Sequence, residues 1–196
     1  GIALLWFVNL TNFMDGIDWM TVAETAPLCA GLALFSALGA LPREAAAVSL
    51  ALCGAMLGFA PLNRPVARLF LGDVGSLPIG LLLGWLLIML AGHGHLAAAL
   101  LLPLYYLGDA TITLLRRLSK REPVWQAHRT HFYQRATDNG HSVVQIVSRV
   151  FVLNMALIAL ATATLFTSSY LLQAALLLAG CALVALLLRR FATAAS

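Results

Sequence analysis

Long apolar runs alternate with short polar segments along the whole chain. Runs long enough to cross a bilayer fall at roughly 21–41, 45–60, 74–92, 96–115, 149–167 and 171–188, after an apolar stub at 1–8. A crossing helix needs about 20 mainly apolar residues, so the run at 45–60 is short and leans on its flanks. None of the runs alternates with a period of two, and backbone polar groups in lipid must be satisfied within the segment, so the runs predict helices. The expected fold is an all-α polytopic helical bundle with about six spanning helices and an N-terminal helix stub, in one membrane domain over residues 1–196. Three polar islands end these runs: Asn9 to Asp18, Phe70 to Ser76 and His128 to Gln134.

Composition agrees with the membrane reading. Only 10% of the 196 residues are charged and 61% are hydrophobic; a soluble domain carries about 25% charged residues. The positions of the basic residues give the orientation. If the stub exits on the inner side, Arg64, Arg68, Arg116, Arg117, Lys120, Arg121, Arg129, Arg135, Arg149, Arg189 and Arg190 lie at inner loops or the tail, and only Arg43 lies outside. Inner loops are enriched in Lys and Arg, so the three islands are expected together on the cytoplasmic face. The outer turns, such as His93-Gly94-His95, are too short to hold a domain. Cys29, Cys53 and Cys181 all sit in apolar runs and read as small hydrophobes. Gly1 opens in mid-run, which suggests the C-terminal part of a longer protein.

The islands carry the chemistry. Asp15 and Asp18 are three residues apart, as are Asn9 and Asn12, and on a helical turn each pair faces one way. Two carboxylates beside two amides suit a sugar, a nucleoside or a metal; the plainer alternative is a capped helix end. Gly16 allows a close backbone approach or a sharp turn. In the second island, Asp73 sits between Gly72 and Gly75 at a helix start. A hard cation such as Mg2+ takes one or two carboxylates and leaves room for substrate phosphates, and a helix N-terminus favours anions. Here too a simple N-cap at Asp73 or Ser76 is the alternative. Asn63 and Arg64 share the preceding loop. In the third island, His128, His131 and Arg135 recur at three-to-four spacing, which on a helix makes one stripe able to clamp a diphosphate. Trp125, Phe132 and Tyr133 lie among them. Asp109 falls ~9 Å inside its span, counted at 1.5 Å per residue; pairing with Arg116 is the expected relief. Glu24 reads as an interfacial residue.

Asn12-Phe13-Met14-Asp15-Gly16-Ile17-Asp18 resembles the N-x-x-D-G-[IL]-D signature of the polyprenyl-phosphate N-acetylhexosamine-1-phosphate transferases, a family that includes the phospho-N-acetylmuramoyl-pentapeptide transferases. Phe70-Leu71-Gly72-Asp73-Val74-Gly75-Ser76 resembles their F-x-G-D-x-G-S loop, and His128-Arg129-Thr130-His131-Phe132-Tyr133-Gln134 their histidine motif, in the H-R-x-H-x-Y-Q form of O-antigen initiating enzymes. The resemblance implies transfer of an N-acetylhexosamine 1-phosphate from a UDP-sugar to undecaprenyl phosphate, with release of UMP, at the start of cell-envelope polysaccharide synthesis. It implies a multi-pass protein of the bacterial inner membrane with Mg2+, or Mn2+ in its place, held by Asp73. Asn12, Asp15, Gly16, Ile17 and Asp18 would line the uridine side, Phe70 would stack on uracil beside Asn63, and His128, Arg129 and His131 would touch the diphosphate. A homodimer is compatible with this; no nucleic-acid partner is expected. Trp19 stands where the family commonly has Gly, Gln134 replaces a histidine, and the family's paired aspartates on an earlier loop are not in this chain.

Two other readings compete: a transporter for an anionic substrate and a lipid-binding scaffold. Carriers place polar groups near the membrane midplane, whereas these islands share one face.

Overall fold

A computed structural model describes residues 1–123, 126 and 128–195. Trp125, expected among the interfacial aromatics, lies outside the described residues. The described chain is helical: α1 (Ile2–Met14), α2 (Met20–Ala37), α3 (Arg43–Phe59), α4 (Gly72–Gly92), α5 (Leu96–Leu101), α6 (Leu104–Ser119), α7 (Phe132–Asp138), α8 (Val143–Leu165) and α9 (Tyr170–Phe191). By length and composition, α2, α4, α8 and α9 can cross a membrane. The chain is thus a polytopic helical membrane protein.

Three elements depart from the expected pattern. The stub does not stop at residue 8 but continues as α1 to Met14, so Asn9 and Asn12 ride on a helix. The run at 96–115 is broken between α5 and α6, where Pro103 has no backbone N–H to continue the ladder. At 17 residues, α3 is not among the helices long and apolar enough to cross a membrane.

The helices pack around a shared core. α1 lies against α4 and α6, α2 against α3 and α8, and α9 against α8. Leu10, Phe35, Leu86, Tyr105 and Tyr133 are fully buried there. Leu171 and Leu186 of α9 and Val152 of α8 point outward, as lipid-facing residues do. Ser142 begins α8 by accepting the Gln145 N–H at 3.2 Å, while Gln145 Oε1 accepts the Ser142 N–H at 3.0 Å. This reciprocal cap satisfies two orphan donors at the helix start.

One polar pair and one close helix contact lie within the helices. Glu24 is not interfacial: it is buried, and its Oε2 accepts a 2.7 Å hydrogen bond from Asn154 Nδ2, which also donates to the Ala23 carbonyl. The bond ties α2 to α8. The α1–α4 contact, in turn, depends on small residues. A Cβ on Gly80 would lie 2.9 Å from Val8 Cα and 3.1 Å from Thr11 Cβ. That spacing holds the two helices close enough for their polar ends to meet.

Gly80→Ala is therefore expected to destabilise the protein by ~1–3 kcal/mol, because backbone must move. Gly54→Ala on α3, where an added Cβ meets nothing within 4 Å, should be neutral or stabilising by up to ~1 kcal/mol. Thermal unfolding of both variants in detergent checks the pair.

Candidate functional site

The three islands converge at one end of the bundle, and their contacts are specific. Asn12, in the last turns of α1, donates through Nδ2 to Asp73 Oδ1 at 2.8 Å and to Ser76 Oγ at 2.9 Å. This joins the first island to the second. Tyr133 on α7 donates its hydroxyl to the Phe13 carbonyl at 3.0 Å, and the Phe13 and His131 rings lie 6.5 Å apart. These join the first island to the third.

Asp15 and Asp18 do not share a helical face, because α1 ends at Met14 and residues 15–19 turn. Asp15 accepts from Thr21 Oγ1 at 2.5 Å. Asp18 Oδ2 accepts the Ala67 N–H at 3.1 Å and holds the 60–71 loop. Neither caps α2. Burial, and then the charge of Asp73, raise the Asp15 pKa above its ordinary value. Asp15 and Asp73 are thus two carboxylates within electrostatic reach of each other, relieved only in part by hydrogen bonds. Gly16 is small for an internal reason: a Cβ there would overlap the Tyr133 hydroxyl. Ile17 is half-buried and packs on the core.

Trp19 adopts φ 64°, the left-handed region that disfavours side chains by about 1–2 kcal/mol. Its indole Nε1–H donates to the Ala60 carbonyl at 2.6 Å and its backbone N–H to Asn63 Oδ1 at 2.8 Å. A position that glycine would occupy freely is here fixed by two hydrogen bonds. Asn63 is buried, and its Nδ2 donates to the Leu69 carbonyl at 3.0 Å. Both ends of that side chain therefore brace the loop leading to Phe70. Phe70 itself is 75% exposed, its ring presented to solvent. Asp73 and Ser76 are not N-caps either. α4 starts at Gly72 without a side-chain cap, and Ser76 is buried as the second acceptor for Asn12.

The third island is organised by Asp109. Its partner is not Arg116, whose guanidinium lies over the Phe132 ring. Asp109 is completely buried and accepts from the backbone N–H of Phe132 (3.0 Å) and of Tyr133 (3.2 Å) and from Thr113 Oγ1 (3.3 Å); it also meets His131 Nδ1 at 3.2 Å. It thereby supplies the acceptors that the first turn of α7 needs. Gln134 Oε1 accepts the His131 N–H at 3.3 Å, so this glutamine closes the turn. Residues 128–130 are not helical, so His128, His131 and Arg135 form no helical stripe. The His128 and His131 rings stack at 4.9 Å instead, and the Arg135 guanidinium lies over the Phe132 ring. Arg129 is exposed beside them. His128 is pushed down to about 4, first by burial and then by the charges of His131 and Arg117. It is neutral near pH 7, which leaves Arg129 as the fixed cation of this segment.

Whether this end can hold a metal depends on its donors. Among the described residues no three His, Cys, Asp or Glu side chains cluster as a metal cage. Asp73 and Asp15 are two hard carboxylate donors, and Mg2+ takes one or two when phosphates and water complete its shell. The set fits Mg2+ in that open mode.

Residues 1–91, which include the first two islands, match the model of glycosyl transferase family 4. A probable undecaprenyl-phosphate N-acetylglucosaminyl 1-phosphate transferase of Bacillus subtilis is 25% identical over 86% of this chain and 50% of its own length. A phospho-N-acetylmuramoyl-pentapeptide-transferase of Enterococcus faecalis is 32% identical over 62% and 39% of the two chains. A decaprenyl-phosphate N-acetylglucosaminephosphotransferase of Mycobacterium tuberculosis is 28% identical over 74% and 41%. The chain spans half the length, or less, of these relatives.

Thr21, Ser76 and Tyr133 were not among the expected site residues. Tyr133 and Ser76 carried a sequence signal, as the Y of the third motif and the S of the second; Thr21 carried none.

Two outcomes follow. Asp109→Asn puts an amide donor among donors and is expected to destabilise by about 1–3 kcal/mol, with faster hydrogen exchange confined largely to residues 131–138. For His128, the folded pKa lies below the ordinary 6.5. Its contribution to stability is complete above that value and is lost as pH falls toward 4, where the unfolded chain binds a proton that the folded chain refuses. His128→Gln should flatten the fall in melting temperature between pH 7.5 and 4.5.

Proposed function

We propose that this chain belongs with glycosyl transferase family 4, whose model its residues 1–91 match, and that it supplies the donor-binding part of an enzyme that transfers an N-acetylhexosamine 1-phosphate from a UDP-sugar to undecaprenyl phosphate. The carrying observation is the meeting of Asn12, Asp73 and the Phe13–His131 contact at one end of the bundle. The skewed placement of Lys and Arg supports a cytoplasmic position for that end in a bacterial inner membrane.

In the reaction, an oxygen of the lipid phosphate forms a bond to the β-phosphorus of the donor. The bond from that phosphorus to the bridging oxygen breaks, and UMP leaves. Both reactants are anions, so their approach must be screened. Mg2+ held by Asp73, with Asp15 close by, would withdraw charge from the diphosphate. Asn12 keeps the Asp73 carboxylate in place, because its amide N–H bonds one oxygen and leaves the other open. Arg129 brings fixed positive charge to the phosphates. Asp109 orients His131 through Nδ1, which leaves Nε2 as the ring nitrogen able to bond a phosphate oxygen; His128 stacks behind it. Phe70 offers an exposed ring to uracil, and Asn63 sets the loop that presents it. Gly16, Ile17 and Asp18 shape the floor of the same side. An apolar groove of about 350 Å3 begins at Trp19 and runs past Val22, Leu57 and Phe151; it suits the polyprenyl chain.

The alternative transferred group is phospho-N-acetylmuramoyl-pentapeptide, from its UDP-linked donor. Gln134 favours the smaller one, because the place of a third motif histidine is occupied by a residue bonded to the His131 backbone.

In the full-length protein, Asp73→Asn is expected to lower UMP release by at least ~100-fold, with membrane insertion and melting temperature retained. Near-wild-type release would remove Asp73 from the chemistry. His131→Ala should lower turnover more than abundance, as read by the same assay beside quantitative blotting.

A further inference from the structure

A polar cavity lies at the α6–α7 corner, with Thr130 of the third motif in its wall. Its volume is about 210 Å3, room for a phosphate group and several waters at about 30 Å3 each. Arg116 and Lys120 of α6 and Arg135 of α7 line it. The one carboxylate in its wall, Glu122, is already engaged by Arg117 Nε at 3.1 Å, and Arg117 also donates to the Pro123 carbonyl at 2.8 Å. Among the described residues, no carboxylate pairs with Arg116, Lys120 or Arg135.

The two arginines are gathered on one ring. Arg116 and Arg135 place their guanidinium carbons 5.4 and 5.8 Å from the centroid of Phe132. Like charges drawn to a common wall repel unless an anion lies between them, and guanidinium forks suit phosphate oxygens. The neighbouring face of α6 is apolar and open: Ile112, Leu115 and Leu118, at successive three-residue steps, are 40%, 56% and 60% exposed. A free anion has no use for that stripe, whereas acyl chains do.

We propose that this cavity, which borders the His128–His131 segment through Thr130, binds the phosphate headgroup of an anionic bulk phospholipid. Arg116, Lys120 and Arg135 hold the phosphate, and Ile112, Leu115 and Leu118 border the chains. The site fixes the α6–α7 corner that carries His131, so an anionic leaflet would steady the motif from behind. It does not rest on the transfer reaction, and its failure leaves that reading untouched.

Native mass spectrometry of the purified full-length protein tests it, with titrations of phosphatidylglycerol, phosphatidylcholine, undecaprenyl phosphate and inorganic phosphate. The wild type should retain phosphatidylglycerol over phosphatidylcholine. The double variant Arg116→Gln/Arg135→Gln should weaken phosphatidylglycerol binding roughly tenfold or more, and Lys120→Gln, at an exposed position, by less. Melting temperature identifies any variant that fails to fold, and Lys120→Gln then carries the test. Equal retention by the wild type and the folded variants overturns the proposal. So does a loss confined to undecaprenyl phosphate or to inorganic phosphate, which would assign the cavity to a substrate or a soluble anion.

Discussion

One side chain connects the polar ends of this bundle. The carboxamide of Asn12 divides its two N–H groups between Asp73 and Ser76, so the end of α1 and the start of α4 are held in register 61 residues apart in sequence. That bond forms only because the two helices run close together below it, where Gly80 leaves space for Val8 and Thr11. Packing in the apolar layer thus sets the geometry of the polar layer. An exposed carboxylate such as Asp73 would otherwise sample many rotamers, and the amide limits them.

Asp109 does comparable work for the third island, from inside. A buried carboxylate is expensive unless its lone pairs are filled, and here they meet the first N–H groups of α7, the Thr113 hydroxyl and the His131 ring. The short helix cannot shift without stripping that carboxylate of its partners. Tyr133, on the same turn, then reaches the Phe13 carbonyl and lies against Gly16. The three motifs are accordingly linked in one chain of contacts, and none is positioned by its own loop alone.

Much of this was legible in the residues. Apolar runs located the long helices, because length and hydropathy decide what can cross lipid. The three motifs located the polar end, with Asp73, Phe70 and His131 among the residues singled out. What did not follow from sequence depends on breaks and on distant partners. The spacing of Asp15 and Asp18 suggested a shared helical face, but the chain leaves the helix at Met14 and Trp19 takes a positive φ. Periodicity across residues 128–135 suggested a stripe, whereas the helix starts only at Phe132. Asp109 was matched with the nearest basic residue along α6; its real partners are backbone N–H groups 23 and 24 residues away, which no side-chain pattern announces. Glu24 was placed at the interface because Asn154, its partner, lies 130 residues downstream.

The most direct test is oxidative cross-linking of Asn12→Cys with Ser76→Cys in a full-length protein otherwise free of cysteine, in native membranes, with the joined peptides read by mass spectrometry. The two tips meet at 2.9 Å in the native pair, so the account predicts rapid disulfide formation there and none between Asn12→Cys and His93→Cys at the opposite end of α4. No 12–76 disulfide, or one no faster than the 12–93 control, would contradict the convergence on which the site is built.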